Sequence, residues 1–245
     1  MSGSTVAVWS SKGGVGKSVT AVNLAAVLAE RGRVLLVDLD AQASASRALG
    51  IAPADGLLDA LRGEADLVEL VVAIEGLALD VVPGGPGLAR AERLLAAEAG
   101  AETLLRTALE GVRYSAVVLD CPPGVSTLSV GALVAATLHL APVVPDPLAV
   151  SGLGDALAVA DAVRSRLNAK LSPSRVLLSR VPRTRAARLT SEGLRERLGG
   201  SVLSAEVPER AVVVESIARR VPVVFYAPES SPALAFRALA QEVIP

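Results

Sequence analysis

Aromatic side chains are scarce. Two Phe, two Tyr and one Trp make up 2% of the 245 residues. With 51% of the residues hydrophobic, the core must be aliphatic, built from Ala, Val and Leu. Base stacking has little to draw on, so any nucleic-acid binding would run through phosphates. Cysteine is limited to Cys121, which excludes an internal disulfide, a Cys-only metal site and a Cys-ligated cluster within one chain. A reducing cytoplasm is the natural setting. Cys121 reads as a small packed residue. The one histidine, His139, lies in an apolar strand-like run and reads as core rather than ligand. The opening "MSGSTVAVW" has no basic stretch of the kind a signal peptide needs. The longest mostly apolar run, Val130 to Val144, is too short for a bilayer and contains His139 and Pro142.

Net charge is also nearly absent, at −1. The distribution is uneven. Residues 1–163 carry 10 Lys+Arg and 18 Asp+Glu, a net of −8, and residues 164–237 carry 14 and 6, a net of +8. Such a split fits either a surface for an acidic partner or a set of solvated arginine-rich helices.

Apolar runs alternate with helical patterns. Strands are expected at 5–10, 33–40, 77–85, 114–124, 137–145, 174–182 and near 202–207. Helices are expected at 18–32, 92–111, 151–169, 186–198 and 232–243. This alternation predicts an α/β fold: a three-layer sandwich, its mostly parallel, twisted sheet carrying helices on both faces. With no long linker or repeat, residues 1–245 read as a single domain. Ligands bind such sheets at the carboxyl ends of the strands, where Asp38, Asp40 and Asp120 fall.

The first strand runs into "SKGGVGKS", residues 11–18. Gly13, Gly14 and Gly16 give a permissive backbone whose N–H groups can converge on phosphate at a helix N-terminus. Lys17 would reach the β- and γ-phosphates and the Ser18 hydroxyl would ligate Mg²⁺. Val15 and Val19 belong to the same nucleotide-binding stretch. Asp120, ending a later strand, stands where a Walker B carboxylate belongs. Lys12, five residues before Lys17, is not required by an ordinary phosphate loop.

"KGGVGKS" resembles the deviant Walker A loop of the ParA/MinD group of P-loop ATPases. The resemblance extends through "VLLVDLDAQASAS" (34–46), "VVLDCPPG" (117–124), "PVVPDPLAVSGL" (142–153) and residues 206–243, and is closest to small ParA/Soj-type partition proteins. It implies an ATPase that uses ATP and Mg²⁺ and forms a homodimer on ATP binding, Lys12 reaching the nucleotide of the opposite subunit. It implies that Asp40 positions the attacking water. Asp38 would support Mg²⁺-bound water or the loop, and Asp120 would hold Mg²⁺ through water. The base would be framed by residues 180–182 and 208–210, with Arg180, Pro208 and Glu209 as contacts. Residues 142–147 would line the dimer face.

The sequence departs from the family at Ser10 and Ser11, where Asn and Gln are common, and at Ala41, where Pro is usual. Glu209 and Val212 replace arginines that often serve DNA. Arg183, Arg185, Arg188, Arg195, Arg197, Arg219 and Arg220 are then the candidate DNA contacts. The resemblance implies a partition ATPase that is cytoplasmic and nucleoid-associated, binds DNA non-specifically and is released by a ParB-type centromere-binding partner. With the first strand beginning by Thr5, no N-terminal helix-turn-helix is expected. The alternatives are a positioner of another cargo, such as a microcompartment or chemoreceptor cluster, and a MinD-like division-site regulator. The ending "ALAFRALAQEVIP" has no basic amphipathic face, which argues against membrane attachment. Lys12 argues against a biotin-pathway synthetase, and the lone Cys121 against a cluster scaffold.

Overall fold

The computed structural model describes residues 3–244, without the side chains of 147–149 and 151. Eight strands form one sheet: β1 (Ser4–Val8), β2 (Val34–Asp38), β3 (Val72–Ala73), β4 (Leu79–Val82), β5 (Ala116–Asp120), β6 (Leu138–Val143), β7 (Arg175–Val181) and β8 (Val202–Pro208). The order is β3-β4-β2-β5-β1-β6-β7-β8, parallel except for β3 against β4. The inner strands β2 and β5, "VLLVD" and "AVVLD", are buried at every position. A parallel sheet covered on both faces demands such continuous apolar runs.

The described helices are α1 (Lys17–Leu28), α2 (Ser44–Ala48), α3 (Leu57–Leu61), α4 (Gly87–Leu95), α5 (Leu104–Ala108), α6 (Thr127–Ala135), α7 (Pro147–Arg166), α8 (Arg185–Leu198), α9 (Ala211–Ala218), α10 (Val223–Tyr226) and α11 (Ser231–Val243). Strand side chains alternate between the faces. Val6, Val8, Leu36 and Val118 pack beneath α1 and α11, and Ala7, Leu35, Val37 and Leu119 face α3–α7. A smaller cluster, including Val176, Leu178 and Leu194, seats α8. The core is aliphatic, as the composition requires, with Trp9 and Phe236 as its largest fully buried members.

Three expectations need correction. The helix expected over 92–111 is broken: α4 ends at Leu95, and Gly100 turns at φ 82 before a short 3₁₀ turn and α5. The run "AAEAGAE" has helical composition, but α4 stops at Leu95 and the left-handed backbone of Gly100 keeps it from running on into α5. The strands at 5–10 and 33–40 stop at Val8 and Asp38, so Asp40 stands in the following loop. The helix through 151–169 begins earlier, at 147, and ends at Arg166.

Candidate functional site

β1, β2 and β5 end at one level, because Val8 pairs with Asp120 and Asp38 pairs with Asp120 across adjacent strands. The loop 9–16 leaves this edge and enters α1 through Gly16, whose φ of 91 is left-handed. A Cβ on Gly16 would lie 2.7 Å from Ser179 Oγ. Glycine is therefore required there twice, for conformation and for space. Lys17 is buried, and its Nζ donates to the Lys12 carbonyl at 2.9 Å. Burial lowers its pKa, while the Asp120 carboxylate pulls it back up.

Asp120 is fully buried, and neither carboxylate oxygen has a hydrogen-bond partner. Burial and the Asp38 carboxylate raise its pKa well above the ordinary value, and the nearby Ser18 hydroxyl opposes that rise without closing a well-formed bond. A buried, unpaired carboxylate beside a Gly-rich loop costs free energy unless a cation or its water shell meets it. Ser18 and Asp120 fit a magnesium site on that ground. Asp38 is arranged differently. Its Oδ2 accepts from the Ser46 amide and hydroxyl, at 2.9 and 2.7 Å, and its Oδ1 from the Asp40 amide at 3.1 Å. Those oxygens order the loop after β2. The Ser46 hydroxyl also accepts from Gly84 N at 3.1 Å.

A cleft of about 450 Å³ opens beside this edge, within the size range of small-ligand sites. Its polar end is Gly13, Gly14, Gly16, Lys17, Ser18 and Asp40. Its apolar end includes Val19, Val207, Val213 and Phe236. Arg180 of β7, Pro208 at the end of β8 and Glu209 also line the cleft. Asp40 Oδ1 accepts from Gln42 N at 2.9 Å. Arg180 is a non-glycine residue at φ 48, a conformation that costs an L side chain about 1–2 kcal/mol.

Val15 is buried beneath the loop and is absent from the cleft lining. Lys12 is also absent from the lining of its own cleft. Its stem crosses α7, where a Cβ on Gly152 would lie 3.0 Å from Lys12 Cγ and Cε. Ser11 Oγ donates to the Gly152 carbonyl in the same place. Pro147, in the expected dimer-face segment, lies outside the described side chains.

The candidate DNA arginines divide. Arg183, Arg185, Arg197 and Arg219 are exposed. Arg188 pairs with Glu192 at 3.5 Å, and Arg220, at φ 59, packs over Gly50. Arg195 is engaged within the chain, donating to the Leu203 carbonyl and to Glu206 at 2.9 and 2.7 Å. The sequence reading missed Ser44 and Pro123 in the cleft, and the apolar wall from α9 and α11. The run "AVVVESIA" carried the signal for the α9 part of that wall, and the helix expected at 232–243 supplied the α11 part.

A family model described as an AAA domain matches residues 3–173. The chromosome-partitioning ATPase Soj of Thermus thermophilus is 39% identical over 98% of this chain and 94% of that protein. The chain belongs to the ParA/MinD group of P-loop ATPases. The sporulation initiation inhibitor protein Soj of Bacillus subtilis is 35% identical, with 98% of each chain covered. Among solved members of the group, the septum site-determining protein MinD of Pyrococcus horikoshii, complexed with Mg-ADP, superposes with a TM-score of 0.82 at 27% identity. That match covers 99% of this chain and 96% of the MinD chain. No helix among the described residues is long and apolar enough to cross a membrane.

Proposed function

We propose that this ParA/MinD-group chain is a partition ATPase that dimerises on ATP, coats DNA without sequence preference and hydrolyses ATP when a ParB-type partner acts on it. The observation that carries the nucleotide chemistry is Asp120. Both its oxygens are buried and unpartnered beside the phosphate loop. The near-full-length likeness to two Soj proteins supports the partition role.

In this reading the loop amides and the α1 N-terminus bind the phosphates. Lys17 leaves the Lys12 carbonyl to meet them. Ser18 and Asp120 would hold magnesium, which supplies neutralisation of phosphate charge when bound. Asp38 holds the loop that carries Asp40. Asp40, on the cleft wall, orients a water for in-line attack, since phosphoryl transfer needs mainly positioning and charge compensation. The base takes the apolar end, near Val19, Val213 and Pro208. Lys12, whose stem lies on α7 and not in its own cleft, serves the nucleotide of the opposite subunit.

Light scattering with and without Mg-ATP tests the central claim. Mass should double with ATP, Lys12→Ala should stay monomeric while still binding nucleotide, and Asp40→Ala should give a long-lived dimer. A wild-type protein that remains monomeric at saturating ATP would sink the sandwich, and rapid turnover by Asp40→Ala would sink that residue's role.

A further inference from the structure

Arg180 joins the phosphate-binding loop to the segment that follows β8. It stands next to the end of β7 with its backbone in the left-handed region, at φ 48. Its Nη1 donates to the Gly14 carbonyl at 2.6 Å, and its Nη2 to Glu209 Oε1 at 2.8 Å. A planar guanidinium holds two acceptors at a fixed separation, which an ammonium does not. Glu209 is itself anchored. Its amide donates to the Val181 carbonyl at 3.0 Å, and the Arg210 guanidinium donates to its carbonyl at 2.6 Å.

The loop tip is open on its outer side. A Cβ on Gly13 or Gly14 would meet nothing within 4 Å, while the next residue, Val15, is buried. The first half of the loop is fixed otherwise, by Ser11 Oγ on Gly152 and by Gly124 N on the Ser11 carbonyl. The Arg180–Glu209 pair is about half exposed, at 52% and 51%, and such pairs add little to global stability. A left-handed backbone kept for so small a return points to a local task.

We propose that Arg180 is a positioning residue for the phosphate-binding loop, and that Glu209 holds Arg180 in that role. The proposal rests on the nucleotide reading above. It departs from the base contact that the resemblance assigned to these two side chains: the guanidinium edges are committed to Gly14 and Glu209. A loop that turns its N–H groups inward presents carbonyls outward, and Arg180 takes one of them. Because Glu209 begins the segment leading into α9, a shift of that helix reaches the loop through the same bridge.

The test compares two ligands, Mg-ATP and inorganic Mg-tripolyphosphate, which has neither base nor ribose. Binding is measured by calorimetry for wild type, Arg180→Ala, Arg180→Lys, Glu209→Ala and the double alanine variant. Arg180→Ala should weaken both ligands alike, by about tenfold, the scale of one charge-assisted hydrogen bond. Arg180→Lys should recover part of that loss. Glu209→Ala should weaken both by about threefold, and the double variant should be no worse than Arg180→Ala, because one residue acts through the other. Loss of ATP binding with tripolyphosphate binding intact would overturn the proposal in favour of a base contact. Additive losses in the double variant would overturn the role of Glu209. Arg180→Ala binding both ligands like wild type would overturn the proposal alone, whereas a wild type that binds neither would overturn the nucleotide reading and this proposal together. Circular dichroism melting of each variant separates these outcomes from misfolding.

Discussion

Asp120 and His139 are both buried polar groups, but only His139 is satisfied by the protein. Its Nδ1 meets Ser174 Oγ at 2.8 Å and its Nε2 meets the Trp9 carbonyl at 3.2 Å. Burial pushes its pKa from 6.5 down to about 4. Between those values the unfolded chain binds a proton that the native state refuses, so stability falls as pH drops from 6.5 toward 4. The loss approaches 3 kcal/mol across that window. Denaturant titrations at a series of pH values should show this slope, and His139→Gln should flatten it. Asp120 is the contrary case. Asp120→Asn removes the group whose ionisation burial penalises, so the ligand-free variant should gain stability relative to the wild type as pH rises. The same variant should lose the thermal stabilisation that Mg-ATP gives the wild type. Melting curves with and without Mg-ATP check both signs.

At the scale of elements, the start of α6 shows one helix capped partly by another. Ser126 and Ser129 form a reciprocal cap on α6, and Glu92 of α4 adds a carboxylate that accepts from Thr127 N and Leu128 N. Glu92→Ala should cost about 1 kcal/mol, read as a lower denaturation midpoint with unchanged slope. Gly16→Ala would force a Cβ against Ser179 Oγ from a left-handed backbone, and should abolish phosphate binding even where the chain still folds. The placement of the Gly-rich loop, Lys17, Asp38 and Asp120 at strand ends was legible in the sequence, whereas Asp40 stands two residues beyond β2, in a loop. The hydrophobic runs gave all of the long strands but not the two-residue β3, which has no periodicity to read. The α4–α5 break was hidden because alanine and glutamate favour helix on both sides of Gly100. The Arg180 bridge was illegible for another reason. It depends on a backbone conformation and on residues 166 and 29 positions away, which no local pattern records.

For the whole molecule, the neutral total conceals an acidic N-terminal portion and a basic C-terminal one. Only some of the basic charge is available to a partner. Arg183 and Arg185 stand exposed at the start of α8, whereas Arg195 is committed to Leu203 and Glu206. If the ATP-bound protein binds DNA through phosphates, its affinity should fall steeply with salt. Arg183→Ala with Arg185→Ala should reduce the log–log salt slope by about two, close to one counterion per lost contact. Arg195→Ala should leave that slope unchanged. Filter binding across a salt series decides this, and a flat profile for the wild type would remove DNA from the partners.

The single tryptophan gives the chain a built-in optical gauge. Trp9 sits two residues before Ser11, fully buried, with its indole N–H donating to the Gly124 carbonyl at 3.0 Å. Gly124 belongs to the segment that follows Asp120, and the His139 ring lies 5.6 Å from the indole, centroid to centroid. One chromophore therefore watches the phosphate loop, the Asp120 segment and β6 at once. With only two tyrosines beside it, its emission can follow ligand binding and loop rearrangement in unlabelled wild-type protein, on the millisecond scale of stopped flow.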